Sequence, residues 1–289
     1  MDELKALRDK LWAFWKGYRR NAGAVFALFF LIILVILAVF ADLIAKYGPM
    51  DTGIGPPLQP PGSQFLMGTD DLARDIFSGV VHGARVSLIV GFTAAFTATL
   101  IGVIIGSISG YFGGSTDYLL TKLCELFQSV PRFLFALVIV VFFGNTVWNV
   151  VVVIGILSWP RTGRLVRSEF LRLRETEFVM AAQAVGMSSA RIIFKHILPN
   201  VMHVILVTAS LEVGAAIITE AGLSFLGAGD PNLMSWGRML HNAQAFLRTA
   251  WWMAIFPGCG IFFTVLSMNL IGDGLNDALN PRLRRIQRQ

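Results

Sequence analysis

Side chains able to do chemistry are sparse in this sequence, and their spacing speaks of contacts more than of catalysis. Its four histidines, His82, His196, His203 and His241, fall in different segments. Cys124 and Cys259 each sit in an apolar run with no CxxC or Cys/His cluster, so neither a metal site nor a disulfide framework is indicated, and both read as packing residues. There is no GxxxxGKS/T phosphate loop, no HExxH and no GxSxG, and DGLNDALN near the C-terminus lacks the ligand spacing of a calcium loop. The chain is expected to bind no cofactor or metal of its own and to catalyse no reaction. What stands out instead is polar groups in apolar surroundings. The stretch EFVMAAQAVGMSSARIIFKHILPN, Glu177 to Asn200, carries Glu177, Gln183, Arg191 and Lys195 among apolar residues. Glu212 stands in the middle of an apolar run, where a charge is costly unless it faces a partner or an aqueous path. Asp70, Asp71 and Asp75, in GTDDLARD, suit either helix-start capping or an outward-facing contact.

The elements that carry these residues follow from composition. With 289 residues, 55% hydrophobic and only 15% charged, and a mean hydropathy of +0.66, the chain has too little polar surface to cover a soluble globule. It reads as an all-α integral membrane protein. The formal charge of +6 and a pI near 9.7 then serve membrane topology rather than nucleic acid. A crossing helix needs about 20 predominantly apolar residues. Residues 21–41 fit as span one, kept as an anchor rather than cleaved as a signal peptide, and an external loop follows over 42–85. Span two runs roughly from Val86 to Gly110, with GSISGYFGGST as a glycine-rich exit. The stretch from Tyr118 to Trp159 holds spans three and four, joined at Phe143 to Thr146. Span five covers Val201 to Ala221, and span six lies between Arg248 and Asp273. The core is thus 86–272, with loops at 161–200 and 222–250 on opposite sides and a tail at 273–289.

Lys and Arg orient these six spans. Six in the tail at 1–20, seven over 161–200, four in the C-terminal tail and Lys122 fall on one side, against Lys46, Arg74, Arg85, Arg238 and Arg248 on the other. Both termini and the loop 161–200 are therefore expected in the cytoplasm. The N-terminal tail places Leu4, Leu7, Leu11, Phe14 and Tyr18 at helical spacing between basic residues, which fits a helix on the inner leaflet or a solvated tail.

Within 177–200, the good helix formers from Glu177 to Val185 predict a short helix. Gly186 stands where such a helix ends in a left-handed residue. Ser188 can cap a second short helix toward Ile197, before Pro199 stops it or leads into span five. Neither helix is long enough to cross. Ala181, Ala182 and Ala184 leave little side-chain bulk, which suits close approach by another protein or packing on the chain's own bundle.

The pattern of Glu177, the pair Ala181-Ala182, Gly186, and Ile197-Leu198-Pro199-Asn200 resembles the cytoplasmic signature loop of ATP-binding-cassette importer permeases. Glu177-Phe178-Val179, with Met180 directly before the alanine pair, is similar to the dipeptide, oligopeptide and nickel branch. GTDDLARD, where Ala73 replaces a more usual Gly, HGARVSLIVG from His82, EAGLSFLG from Glu220, SWG from Ser235 and GDGLNDALNPRLR from Gly272 repeat the likeness in order.

The resemblance implies a type I permease bundle in a bacterial inner membrane and the second of two unlike permease subunits. Its expected partners are that second subunit, two cytoplasmic ATPase subunits that hold the ATP and Mg, an external solute-binding protein, and lipid. Glu177, Ala181, Ala182, Ala184, Gly186 and Pro199 would then belong to a coupling helix on the ATPase. Asp70, Asp71, Asp75 and Trp236 would face the binding protein, and Glu212 would border the translocation path. The absence of a His or Cys cluster favours peptides over nickel as solute, and the lack of repeats disfavours a stand-alone secondary transporter. For the arginines from Arg161 to Arg174, positive-inside anchoring is the simpler reading.

Overall fold

The computed structural model describes residues 14–279, together with Arg8 and Trp12. The leucines of the N-terminal tail and the end of the last motif from Asn280 onward lie outside the described residues. The principal helices among the described residues are α1 (Ala22–Val39), α2 (Ile76–Phe112), α3 (Gly114–Ser129), α4 (Arg132–Phe143), α5 (Val147–Arg174), α6 (Glu177–Ala184), α7 (Leu198–Phe225), α8 (Trp236–Ala243) and α9 (Trp252–Leu279). Among the described residues extended pairing is limited to one isolated bridge, Thr69 with Asp75.

Several expected boundaries move, each for a local reason. Span two begins at Ile76 rather than Val86, because the Asp75 carboxylate accepts from the Ser78 N–H at 2.9 Å and starts the helix there. The stretch read as a glycine-rich exit is still helix as far as Phe112, and Gly113, at φ +67, ends it. The break at Phe143 to Thr146 is present, with α5 starting at Val147. A second break was not expected: Val130 is extended before Pro131, as the residue preceding a proline prefers, and α3 and α4 meet at 79°. Helix α5 does not leave the bundle near Trp159 but continues through Pro160 to Arg174, so the arginine run is helical and the expected loop 161–200 is mostly ordered helix. Among the described residues four helices are long and apolar enough to cross a membrane, and a fifth passage arises if the bent pair counts as one. The expected count of six is not reached by length and apolarity alone, since the arginines of α5 make its second half polar.

The central seam of the bundle is α2 against α5. Gly102, Gly106 and Gly110 recur every four residues on one face of α2. A Cβ added at Gly106 would stand 2.4 Å from the Gly163 carbonyl, and one at Gly110 would stand 2.7 Å from that of Arg167. Helices driven together without a hydrophobic difference from lipid rely on such small-residue contacts. The seam is fastened by charge as well: the Arg167 guanidinium donates twice to Asp117 of α3, at 2.5 and 2.6 Å, and the Ser109 hydroxyl of α2 donates to the same carboxylate. Helix α7 packs on α2 and α9, and α1 lies outside against α9. Buried clusters cap the two ends, one around Trp236, Trp252 and Met239, the other around Phe170, Val179, Ile192 and Ile197.

Candidate functional site

Helix α6 follows a two-residue turn after α5. Thr176 has the extended backbone of a cap, but its hydroxyl donates to the Leu173 carbonyl at 2.5 Å and does not cap the helix. The C-terminus is fully specified: the Gly186 N–H donates to the Gln183 carbonyl at 2.9 Å and the Met187 N–H to that of Ala182 at 3.1 Å. This pair of bonds, with Gly186 at φ +77, is the Schellman arrangement, and the expected left-handed glycine is where the sequence put it. Space around Gly186 is open, so what requires glycine is the backbone angle and not crowding.

Two faces of α6 part company. Val179 and Ala182 are buried in the cluster built by Phe170, Ile192, Ile193 and Ile197. Glu177, Phe178, Met180, Ala181, Gln183, Ala184, Val185 and Gly186 are exposed, Val185 to 74%. Ala182, expected on the docking surface, therefore faces the chain's own bundle. Packing on the chain's own bundle holds for Ala182, while Ala181 and Ala184 are left on the exposed side. Beyond Gly186 the chain re-enters helix at Ser189, though the Ser188 side chain makes no cap. Residues 192–197 take π-helical spacing, with the Leu198 N–H donating to the Ile193 carbonyl five residues back. Pro199, exposed, has no N–H to continue the regular ladder, and the segment leads directly into α7.

At the other end, GTDDLARD is scaffold. Asp70 is buried: one carboxylate oxygen accepts from the N–H groups of Leu72 and Arg74, and the other from Arg74 Nε at 2.6 Å. Asp75 caps α2 and also accepts from the Ser78 hydroxyl. Asp71 is half-buried, with one oxygen enclosed and without a hydrogen-bond partner. Ala73 sits at φ +56, a left-handed position, which is why glycine is the more usual residue there. Trp236, expected to face an external partner, is 0% exposed, with its indole N–H on the Val80 carbonyl at 2.9 Å. It has no surface to offer. Sequence reasoning also passed over Glu220 of EAGLSFLG, buried, with one carboxyl oxygen accepting from the Ser224 hydroxyl at 2.7 Å and the other enclosed without a hydrogen-bond partner. Just outside α1, the Arg85 guanidinium donates to Asp42 at 2.9 Å with His82 beside it, and this holds the Asp42 carboxyl below the usual carboxylate range.

Glu212 is 2% exposed and lies halfway along α7. Its Oε1 is 3.7 Å from Arg161 Nη1 and makes no hydrogen bond; Arg132, at the start of α4, is the other cation in electrostatic reach. The sequence left Glu212 open as a path residue or a paired interhelical one. Its partner is Arg161, whose side chain is 55% exposed. Glu125, on α3, pairs with Lys122 at 2.7 Å.

Comparison with known proteins follows the same outline. Residues 102–285 match the family described as binding-protein-dependent transport system inner membrane component, and residues 10–61 match the N-terminal TM domain of oligopeptide transport permease C. The chain is 41% identical over 270 residues to the dipeptide transport system permease protein DppC of Alkalihalophilus pseudofirmus, covering 93% of this chain and 89% of that one. To the oligopeptide transport system permease protein OppC of Bacillus subtilis it is 37% identical over 288 residues, covering 98% and 94%. Among solved structures, an inward-facing form of the MetNI methionine ABC transporter superposes with a TM-score of 0.60 at 17% identity, over 71% of this chain and 98% of that chain, a likeness of fold.

Proposed function

The chain belongs to the binding-protein-dependent transport permeases, C-type branch of the dipeptide and oligopeptide systems, and from that premise we propose that it forms half of a peptide import pathway, driven through α6 by an ATPase. Relatives named for dipeptide, oligopeptide and di/tripeptide transport support peptides as the solute. The second permease subunit, two ATP-binding subunits with ATP and Mg, and an external solute-binding protein complete the assembly. In this reading the α6 end, from the last turns of α5 through residue 200, and both termini are cytoplasmic, and the end carrying Asp71 and Trp236 is external.

One observation carries the coupling role: α6 is anchored by Val179 and Ala182 while Ala181, Ala184 and Gly186 present a nearly bare backbone to a partner. Helix α5 runs without interruption from the bundle to the turn before α6, so a push on α6 reaches the seam with α2 as a rigid-body displacement. Glu177, in the first turn and exposed, is placed to meet a cation of the ATPase. The test is Ala184→Phe in the assembled transporter. A contact cost of about 1.4 kcal/mol lowers the docked fraction about tenfold, so uptake should fall by that factor, and ATPase activity should lose its response to loaded binding protein. Membrane insertion and subunit yield should be unchanged. Normal coupled uptake would overturn the assignment of α6.

A further inference from the structure

We propose that Arg161, held 3.7 Å from the buried Glu212, forms a station at mid-depth of the bundle that receives the carboxylate of the passing solute. This rests on the peptide-permease reading and names what part of a peptide the pathway grips.

Depth comes first. Arg161 lies 14 residues into α5, and Glu212 lies 14 residues into α7, which at about 1.5 Å per residue is roughly 21 Å from either helix start. That is the interior of a bilayer about 30 Å thick. Glu212 is enclosed, but Arg161 points out of the chain, and Arg132 is exposed too. An exposed guanidinium at this depth does not face lipid tails; it faces water or a polar partner. The surface continues in the same character. Arg161, Arg164, Ser168 and Arg172 follow at three- and four-residue steps and are all exposed, so one face of α5 is polar from mid-depth to the α6 end.

Charge comes next. Asp117 is taken by Arg167, and Glu169 by Arg172. Glu212 is therefore the acid left beside Arg161, with Arg132 the other cation in electrostatic reach, and one carboxylate against two cations leaves a net positive site. Its hold on Arg161 is loose: at 3.7 Å, with Oε1 making no hydrogen bond, most of the guanidinium fork stays open. A planar fork of five donors fits a carboxylate in a paired geometry. Glu212 keeps the fork aimed without filling it. Peptides differ in side chains but share one C-terminal carboxylate, so a station that reads this group passes many sequences.

The experiment compares uptake of trialanine and trialanine amide by the complete transporter in proteoliposomes, with its binding protein, for the unmodified chain, Arg161→Gln and Arg161→Lys. Taking the acid-to-amide ratio for each form cancels any preference of the binding protein. The expected result is a KM for the acid raised about tenfold by Arg161→Gln, with the amide nearly unchanged. Arg161→Lys, which keeps the charge and loses the fork, should fall between. Glu212→Gln, which removes the competing carboxylate, should shift the acid KM the opposite way. An acid-to-amide ratio unchanged by Arg161→Gln overturns the station and leaves the peptide reading standing. Failure of the unmodified transporter to take up either peptide overturns the peptide reading, and the station with it.

Discussion

The two ends of the bundle are built to opposite rules. At the α6 end, a short helix is pinned by two buried side chains and turns an apolar, nearly smooth face outward, with Phe178, Met180, Ala181 and Val185 uncovered. At the other end, the residues that look made for contact are consumed internally. Asp70 closes its own turn around Arg74, Asp75 caps α2, and Trp236 fills the space between α2 and α9, where a Cβ at Gly83 or Gly260 would touch its ring. Exposure is thus inverted relative to residue type. Polar and aromatic residues carry one end's internal architecture, while alanines carry the other end's surface. The difference is what the proposed coupling role would require: a fixed rim on one side, and on the other an element whose grip on the bundle leaves one face uncovered.

The strongest way to break this comparison is to empty the rim. Trp236→Ala removes a fully buried indole and its bond to Val80, and large-to-small changes of this kind cost about 3–5 kcal/mol. The expected outcome is a marked fall in thermal stability and in yield of assembled complex. Phe178→Ala, on the exposed face of α6, should leave the thermal stability of the isolated chain unchanged. If the two variants behave alike, the rim is not scaffold.

How much of this was readable beforehand depends on what each residue answers to. Gly186 was legible because a left-handed helix end is a local backbone requirement, and the run before it is helix-forming. The break at Phe143 to Thr146 was legible for the same reason. Gly102, Gly106 and Gly110 were not recognised as a packing seam, since GSISGYFGGST also reads as a turn; the four-residue repeat of glycine was the signal that could have found it. The continuation of α5 through Arg161 to Arg174 was hidden because arginine next to an apolar run normally marks its end. Here Asp117, Glu169 and Glu212 each take one of the arginines. Partners 50 residues distant, as Asp117 is from Arg167, cannot be read from local pattern. The burial of Trp236 and Asp70 was invisible on the same ground.

A smaller effect sharpens the comparison inside α6 itself. Ala182 faces the cluster of Phe170 and Ile192, and its neighbour Ala181 faces out. Overfilling a packed site costs about 1–3 kcal/mol, so Ala182→Leu should lower stability by that amount, whereas Ala181→Leu should leave stability alone and impair ATPase docking. Differential scanning of the purified chain and coupled uptake by the complex separate the two. Equal loss of stability would mean that α6 has no free face.

The smallest effects come from a pair of left-handed residues, one at each end, Gly186 and Ala73. At Gly186 an alanine would meet no neighbour, so nothing offsets the strain of φ +77, and Gly186→Ala should cost about 1–2 kcal/mol in the turn. Because α6 is pinned by only two side chains, the loss should appear as faster amide exchange at Gly186 and Met187, with little change in global melting. At Ala73 the same strain, at φ +56, is already present, but the methyl is buried. Ala73→Gly relieves the strain, about 1–2 kcal/mol. It also gives up roughly 0.8 kcal/mol of burial and adds about 0.5–1 kcal/mol of unfolded-chain freedom. The terms nearly cancel, so the melting temperature should stay within about a degree or two. A large gain in stability would show that the rim is strained rather than settled, and the contrast between the two ends would need to be drawn at the level of backbone conformation instead of burial.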